Sequence, residues 1–173
     1  MSNLILVRHG QSLWNKERRF TGWADIDLTE RGKLEARLAG KLIKDLNIKF
    51  DLCFTSKLSR AINSLKIILD TIDSSNLKII KTDSLNERHY GGLTSLNKDE
   101  IIKKYGSKQV QIWRRSFDIP PPKMDSKHPF KNKIKSAAIH GNKSQNARSD
   151  DQRLFLAHSN AGDPKLHGVW IDP

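Results

Sequence analysis

The sequence predicts an α/β fold with a mostly parallel central sheet flanked by helices. Short segments of strand character recur at residues 4–7, 50–55 and 77–81, and each stretch between them contains apolar residues at helical spacing. That order of strand, helix, strand, helix, strand builds parallel sheets, because each crossover helix carries the chain back to the edge where it started. Leu4-Ile5-Leu6-Val7 has no alternating polar positions and is too short for a core helix, so it reads as a strand buried on both faces. A chain of 173 residues is long enough for one sizeable core and does not require a second domain.

The first strand stops at Arg8-His9-Gly10-Gln11-Ser12-Leu13-Trp14-Asn15. Ligands of open parallel sheets bind beyond the C-terminal strand ends, so Arg8 and His9 are placed at a crevice. Gly10 lets the backbone approach a ligand, and Ser12 and Asn15 add hydrogen-bonding groups. The cluster suits an anion, the alternative being a strand-end histidine that caps a turn. Trp14 to Asp27 follows neither period and reads as a loop over the strand end, with Thr21 and Gly22 in it. Thr29 offers an N-cap, and Leu34, Leu38, Leu42 and Leu46, with Ala39 and Ile43 beside them, predict an amphipathic helix whose leucines face the core.

After the second strand, Ser56 is expected to cap a helix with Leu58, Ile62, Leu65, Leu69 and Ile72 as its buried stripe. Arg60 falls off that stripe, in the first turn. There it is either a solvated cation or a phosphate attractor that adds to the positive end of the helix dipole. The third strand leads to Asn86-Glu87-Arg88-His89-Tyr90-Gly91-Gly92, where one carboxylate lies among basic and hydrogen-bonding groups; Glu87 paired only with Arg88 would be an ordinary ion pair. Asn97 begins a short helix through Tyr105. Arg114 and Arg115 form a third basic site, and Pro120 to Pro122 fix an extended exit. From Lys131 the apolar period is lost through Gln152, which predicts flexibility, and Arg153 to Ala157 is the one late segment with strand character.

Lys and Arg number 31 against 19 Asp and Glu, a net charge of +12 that favours anionic partners. Cys53 is the only cysteine, so no intramolecular disulfide forms, and its apolar neighbours predict a small buried side chain in a reducing compartment. No apolar run approaches a membrane span, and the N-terminus lacks the pattern of a secretion signal. The expectation is a cytoplasmic protein that binds a small phosphorylated metabolite, without a membrane or nucleic-acid partner, and with self-association left open. His, Cys, Asp and Glu show no metal-ligand spacing.

These motifs together resemble the cofactor-dependent phosphoglycerate mutases of the histidine phosphatase superfamily. The likeness rests on Arg-His-Gly-Gln-Ser-x-x-Asn, Phe20-Thr21-Gly22-Trp23, Asp27-Leu28-Thr29-Glu30-Arg31-Gly32, the 86–94 loop, Leu96-Asn97-Lys98, and Ile112 to Asp118 followed by the three prolines. It covers residues 1–131 as a mutase-like α/β domain and leaves 132–173 as a non-matching, partly disordered tail. The resemblance implies that His9 carries a phosphoryl group, that Glu87 donates and accepts the proton, and that 2,3-bisphosphoglycerate primes the enzyme without a metal. It also implies that Arg8, His9, Gly10, Gln11, Ser12, Leu13, Trp14, Asn15, Thr21, Gly22, Arg60, Glu87, Arg88, His89, Tyr90, Lys98, Arg114 and Arg115 contact the phosphate or carboxylate of the substrate.

The chemistry suits those residues. Phosphoryl transfer needs a nucleophile, cations on the phosphoryl oxygens and a proton carrier, roles that a neutral His9, Arg8 with Arg60, and Glu87 can fill. The resemblance further implies a second catalytic histidine on a late strand, in an Ala-His-Gly-Asn motif. Only 42 residues follow Lys131 and they depart from the pattern, as a frame-shifted or truncated reading would, which predicts a sheet incomplete beside its first strand. His158, after Leu154-Phe155-Leu156-Ala157, is the preferred second histidine, since that strand would deliver it to the same sheet edge as His9; His140, in His140-Gly141-Asn142, is the competitor. The reading is therefore a mutase interconverting 3- and 2-phosphoglycerate, with a phosphatase or an inactive remnant as alternatives. A nucleic-acid binder using Trp14, Trp23 and Trp113 as stacking platforms is the competing class, and it lacks a recognised motif.

Overall fold

The computed structural model describes the backbone of residues 2–138, 153–158 and 166–171, and the side chains of residues 4–134. Five strands, β1 (Ser2–Arg8), β2 (Leu52–Thr55), β3 (Lys78–Lys81), β4 (Arg153–His158) and β5 (Leu166–Ile171), form one sheet in the order β3-β2-β4-β1-β5. β1 pairs in parallel with β5, and β2 with β3, whereas β4 runs antiparallel to both β1 and β2. Four strands thus point one way and β4 opposes them. The strand predicted to be missing beside β1 is present: β4 and β5 flank it, so the backbone groups of β1 are paired on both sides. β5 has no counterpart in the sequence-based expectations.

The helices are α1 (Leu13–Lys16), α2 (Glu30–Asp45), α3 (Ser59–Thr71), α4 (Lys98–Tyr105), α5 (Ser107–Arg115) and α6 (Lys131–Ala138). α6 occupies the start of the stretch expected to be flexible, and residues 139–152, with His140, lie outside the described residues. No helix among the described residues is long and apolar enough to cross a membrane.

Thr29 caps α2 as expected, its hydroxyl accepting from the Gly32 N–H. The face that α2 buries is not the leucine stripe. Gly32, Ala36, Ala39, Gly40 and Ile43 are buried, whereas Leu34, Leu38, Leu42 and Leu46 are 42 to 61 % exposed. The reason is steric: α2 packs against α3 so closely that a Cβ on Gly40 would sit 2.7 Å from Thr71 Cβ, and leucines on that face would hold the helices apart. The main core joins this small-residue face to the sheet through Ile5, Val7, Cys53, Leu65, Ile68 and Leu69. Burial pushes the Cys53 thiol up to about 11, so it packs as a neutral core side chain.

Two further expectations for α3 change. Its N-cap is Leu58, and the Ser56 hydroxyl accepts from the Leu58 N–H at 3.3 Å in the preceding turn. The buried face holds Arg60 and Ser64 among Ala61, Leu65, Ile68 and Leu69, while Ile62 is only half-buried. Arg60 is therefore inside the protein, not beside the stripe.

A second core of Phe20, Tyr90, Leu93, Ile101 and Val110 ties the loop after β1 to α4 and α5, with Phe20 and Tyr90 ring centroids 5.0 Å apart. Gly91, at φ +55°, has no room for a Cβ against the Pro122 carbonyl, and the Gly92 N–H donates to that oxygen at 2.7 Å. The proline segment is thereby strapped over the 86–94 loop.

At the strand end, Gly10 and Gln11 lie directly on the first turn of α2. A Cβ at Gly10 would collide with the Gly32 carbonyl, and one at Gly32 with the Gln11 carbonyl. Gly32→Ala is expected to lower stability by about 1–3 kcal/mol, the usual cost of overpacking a tight contact. Thermal or denaturant unfolding checks it; a stability equal to the parent's would mean that the loop yields freely.

Candidate active site

His9 follows the last residue of β1 and is 7 % exposed. Its Nδ1 lies 2.6 Å from the Gly10 carbonyl oxygen, an acceptor, so Nδ1 carries the proton and donates. In the neutral ring the lone pair is then on Nε2. Burial pulls the His9 pKa down to about 3, the positive charges of Arg60 and Arg8 push the same way, and the Gly10 bond opposes them. His9 is thus a neutral base across the physiological range.

The shift has a consequence for stability. Below about pH 6.5 the unfolded chain takes up a proton that folded His9 refuses, so His9 contributes a loss of stability as pH falls from there toward about 3. Unfolding midpoints of His9→Gln are expected to fall less steeply than the parent's across that window; parallel curves would contradict the neutral, buried state.

The loop that carries His9 is held from two helices. The Gly10 N–H donates to Ser64 Oγ at 3.1 Å, and Ser64 Oγ donates to the Arg60 carbonyl at 2.8 Å. The Gln11 N–H donates to Glu35 Oε2 at 2.7 Å, and Thr29 Oγ1 lies 3.0 Å from Gln11 Oε1. Ser12 and Asn15 form a capping box at the start of α1, which fixes the backbone from Ser12 through Asn15, with Leu13 and Trp14 between them. Ser64 and Glu35 were not singled out from the sequence. Ser64 had a readable sign, a hydroxyl four residues after Arg60 within an apolar stripe.

Arg60 is 0 % exposed, and its guanidinium gathers the site. Nη1 donates to the Ala24 carbonyl at 2.9 Å, and Nη2 donates to the Gly22 carbonyl at 2.7 Å and to Glu87 Oε2 at 3.1 Å. Burial lowers the Arg60 pKa, while Glu87 and then Asp25 raise it. Glu87 is also held through its backbone, since Trp23 Nε1 donates to the Glu87 carbonyl at 2.6 Å. These contacts bring together Gly22, Glu87 and Arg60, three of the predicted residues, around the end of β1 that bears Arg8 and His9.

Arg88 donates through Nη2 to the Ile119 carbonyl at 3.2 Å, while its Nε and the Thr21 hydroxyl are buried without hydrogen-bond partners among the described residues. Buried donors left in that state suit a ligand with acceptor oxygens. His89 accepts from the Gly91 N–H at 2.9 Å and packs edge-on to Trp23 at 5.6 Å, so it orders the loop, and burial and then His128 lower its pKa. Tyr90 is 2 % exposed and serves the second core. Lys98 opens α4, with its Nζ 5.9 Å from the Phe20 ring centroid, and Arg114 and Arg115 end α5.

The prediction for His158 is corrected. β4 is antiparallel to β1, with Arg153 opposite Arg8 and His158 opposite Asn3. His158 therefore lies at the far end of β1, six residues from His9, or about 20 Å at the rise of a strand. A strand of suitable composition was read correctly; its direction is what sequence period cannot give. His158→Ala is expected to leave phosphorylation of His9 unchanged, and a loss on a folded sample would contradict the register.

Solved structures carry the same fold. The phosphoglycerate mutase of Bacillus anthracis strain Sterne matches with a TM-score of 0.53 and 28 % identity, over 65 % of this chain and 52 % of that one. A mycobacterial glucosyl-3-phosphoglycerate phosphatase, solved with VO3, matches with a TM-score of 0.56 and 21 % identity, over 69 % and 56 %. The alpha-ribazole phosphatase of Shigella flexneri matches with a TM-score of 0.56 and 24 % identity, over 70 % and 57 %. The chain thus spans about half the length of these proteins. With the family model of the histidine phosphatase superfamily (branch 1) matching residues 4–161, past the boundary at 131 where the motif likeness ends, the chain belongs to that superfamily.

Proposed function

We propose that this chain transfers a phosphoryl group from a small phosphorylated metabolite through His9, and that its reaction is the interconversion of 3- and 2-phosphoglycerate. The observation that supports the reading best is the state of His9. It is buried and neutral, with Nδ1 committed to Gly10 and a lone pair on Nε2 beside two guanidinium groups.

In the transfer, Nε2 attacks phosphorus as the P–O bond to the departing hydroxyl oxygen breaks. Arg8 and Arg60 balance the charge on the phosphoryl oxygens. Glu87, a carboxylate paired with Arg60, takes the proton of the hydroxyl that receives the group from His9, and gives that proton to the departing oxygen when His9 takes the next group. The positive charges of Arg8 and Arg60 and the buried donors Arg88 Nε and Thr21 Oγ1 suit the anionic groups of 2,3-bisphosphoglycerate, which when bound would supply the first phosphoryl group. Arg114 and Arg115 are proposed to hold the carboxylate of the glycerate. Their basic pair and the mutase neighbour at 28 % identity favour this reaction.

Hydrolysis, with water accepting the phosphoryl from His9, is the second reading; the neighbours that bear phosphatase names favour it. One assay separates them. With 3-phosphoglycerate as substrate, formation of 2-phosphoglycerate in excess of inorganic phosphate supports the mutase, and the reverse supports the phosphatase. Glu87→Gln is expected to keep substrate affinity and to lower turnover by about 10²- to 10⁴-fold, the range for a positioned acid or base. Unchanged turnover would reduce Glu87 to a structural partner of Arg60.

A further inference from the structure

We propose that the exposed leucine face of α2 is a docking surface for an acidic amphipathic helix of another protein. Leu34, Leu38, Leu42 and Leu46 recur at every fourth position and wind about 120° around the helix. They are 61, 55, 48 and 42 % exposed, whereas the opposite face of α2 is committed to α3 and the sheet. A contiguous apolar strip of this length on a helix is the form of a helix-binding seam.

The chain's own undescribed segments are poor occupants by composition. Residues 139–152 offer Ile139 and Ala147 as their only aliphatic side chains, and residues 159–165 offer Ala161. Four leucines need more apolar surface than that.

Charge selects among outside partners. Lys33, Arg37, Lys41 and Lys44 run along one flank of the strip; Lys33 is bridged to Glu30 and Lys44 to Asp73, while Arg37 and Lys41 are exposed beside the central leucines. In a two-fold antiparallel pairing of two copies, like flanks meet, so Arg37 of one copy would approach Lys41 of the other. Such contacts oppose self-association, whereas glutamates on a partner helix would be attracted at both positions. Glu30 and Asp45 are exposed at the two ends of α2, away from Arg37 and Lys41, and interrupt the continuous basic face that an anionic membrane would need.

The test is a fluorescence-anisotropy titration of the whole chain. The probe is a synthetic amphipathic helix with leucines on one face and glutamates on both flanks. Saturable binding is expected, weakened by salt. Leu38→Lys with Leu42→Lys should lower affinity by about tenfold or more, the scale of losing two buried leucines. Arg37→Glu with Lys41→Glu should weaken binding without loss of fold, and a peptide with lysine flanks should not bind. Phosphorylation of His9 should be unchanged in these variants, which separates a failure here from a failure of the phosphoryl-transfer reading. The proposal is overturned by equal binding of both peptides or of neither. It is also overturned by a sedimenting dimer of the chain that Leu38→Lys with Leu42→Lys dissociates, or by phosphatidylserine vesicles binding where the peptide does not.

Discussion

Replacing His9 with alanine is expected to abolish turnover and phosphoryl labelling together, by about 10³-fold at least and up to the 10⁶ seen when a covalent nucleophile is removed. The expectation follows from the geometry of one nitrogen. Nδ1 is spent on the Gly10 carbonyl 2.6 Å away, so Nε2 has to be the nucleophile. Glutamine is the sharper test of that assignment. His9→Gln can keep a donor toward Gly10 but brings no nucleophilic nitrogen, so it should fold like the parent and be as inactive as alanine. Activity of either variant within tenfold of the parent would place the chemistry elsewhere.

Replacing Arg60 with alanine should damage both fold and chemistry. A guanidinium with no solvent exposure satisfies the carbonyls of Gly22 and Ala24 and balances the Glu87 carboxylate. Its removal strands a buried charge and two buried acceptors, a loss of about 3–5 kcal/mol for one partner of a buried pair. The same change takes one positive charge from beside His9, and the His9 pKa should rise from about 3 because Arg60 is the second cause of its depression. Arg60→Lys keeps the charge without the fork that reaches both carbonyls and Glu87. It should recover part of the His9 titration shift and little of the stability. Denaturant midpoints, with NMR titration of His9, measure the two effects separately. A variant Arg60→Ala as stable as the parent would show that these contacts contribute little.

Much of the site was legible because its residues are close in sequence and contrast with their surroundings. Four aliphatics ending in Arg8 and His9 state a buried strand and a charged terminus at once. Thr29 and Asn97 were readable as caps because their signal is local, a short side chain before an apolar period. Arg60 was half legible. Its position near the strand end could be read, but its burial depends on carbonyls 36 and 38 residues away and on Glu87, 27 residues along.

The leucines of α2 show where periodicity misleads. Hydrophobic spacing locates an apolar strip, yet closeness of packing chose the face of Gly32, Ala36, Ala39 and Gly40, which hydropathy ranks lower. Strand direction was the other blind spot. Leu154 to Ala157 has the composition of a strand whichever way it runs, and only pairing with β1 reveals that His158 ends beside Asn3. β5 escaped notice because Gly168 shortens the run of strand-forming residues in Leu166–Ile171 to Val169, Trp170 and Ile171.

The most direct measurement is the location of a phosphoryl group on the parent protein after brief exposure to 2,3-bisphosphoglycerate at neutral pH. Tandem mass spectrometry under conditions that spare acid-labile bonds, with NMR of the imidazole nitrogens, should find the phosphate on His9 and on its Nε2. A cooperatively folded sample that carries no phosphate, or carries it on His89, His128 or the Nδ1 of His9, would contradict the account.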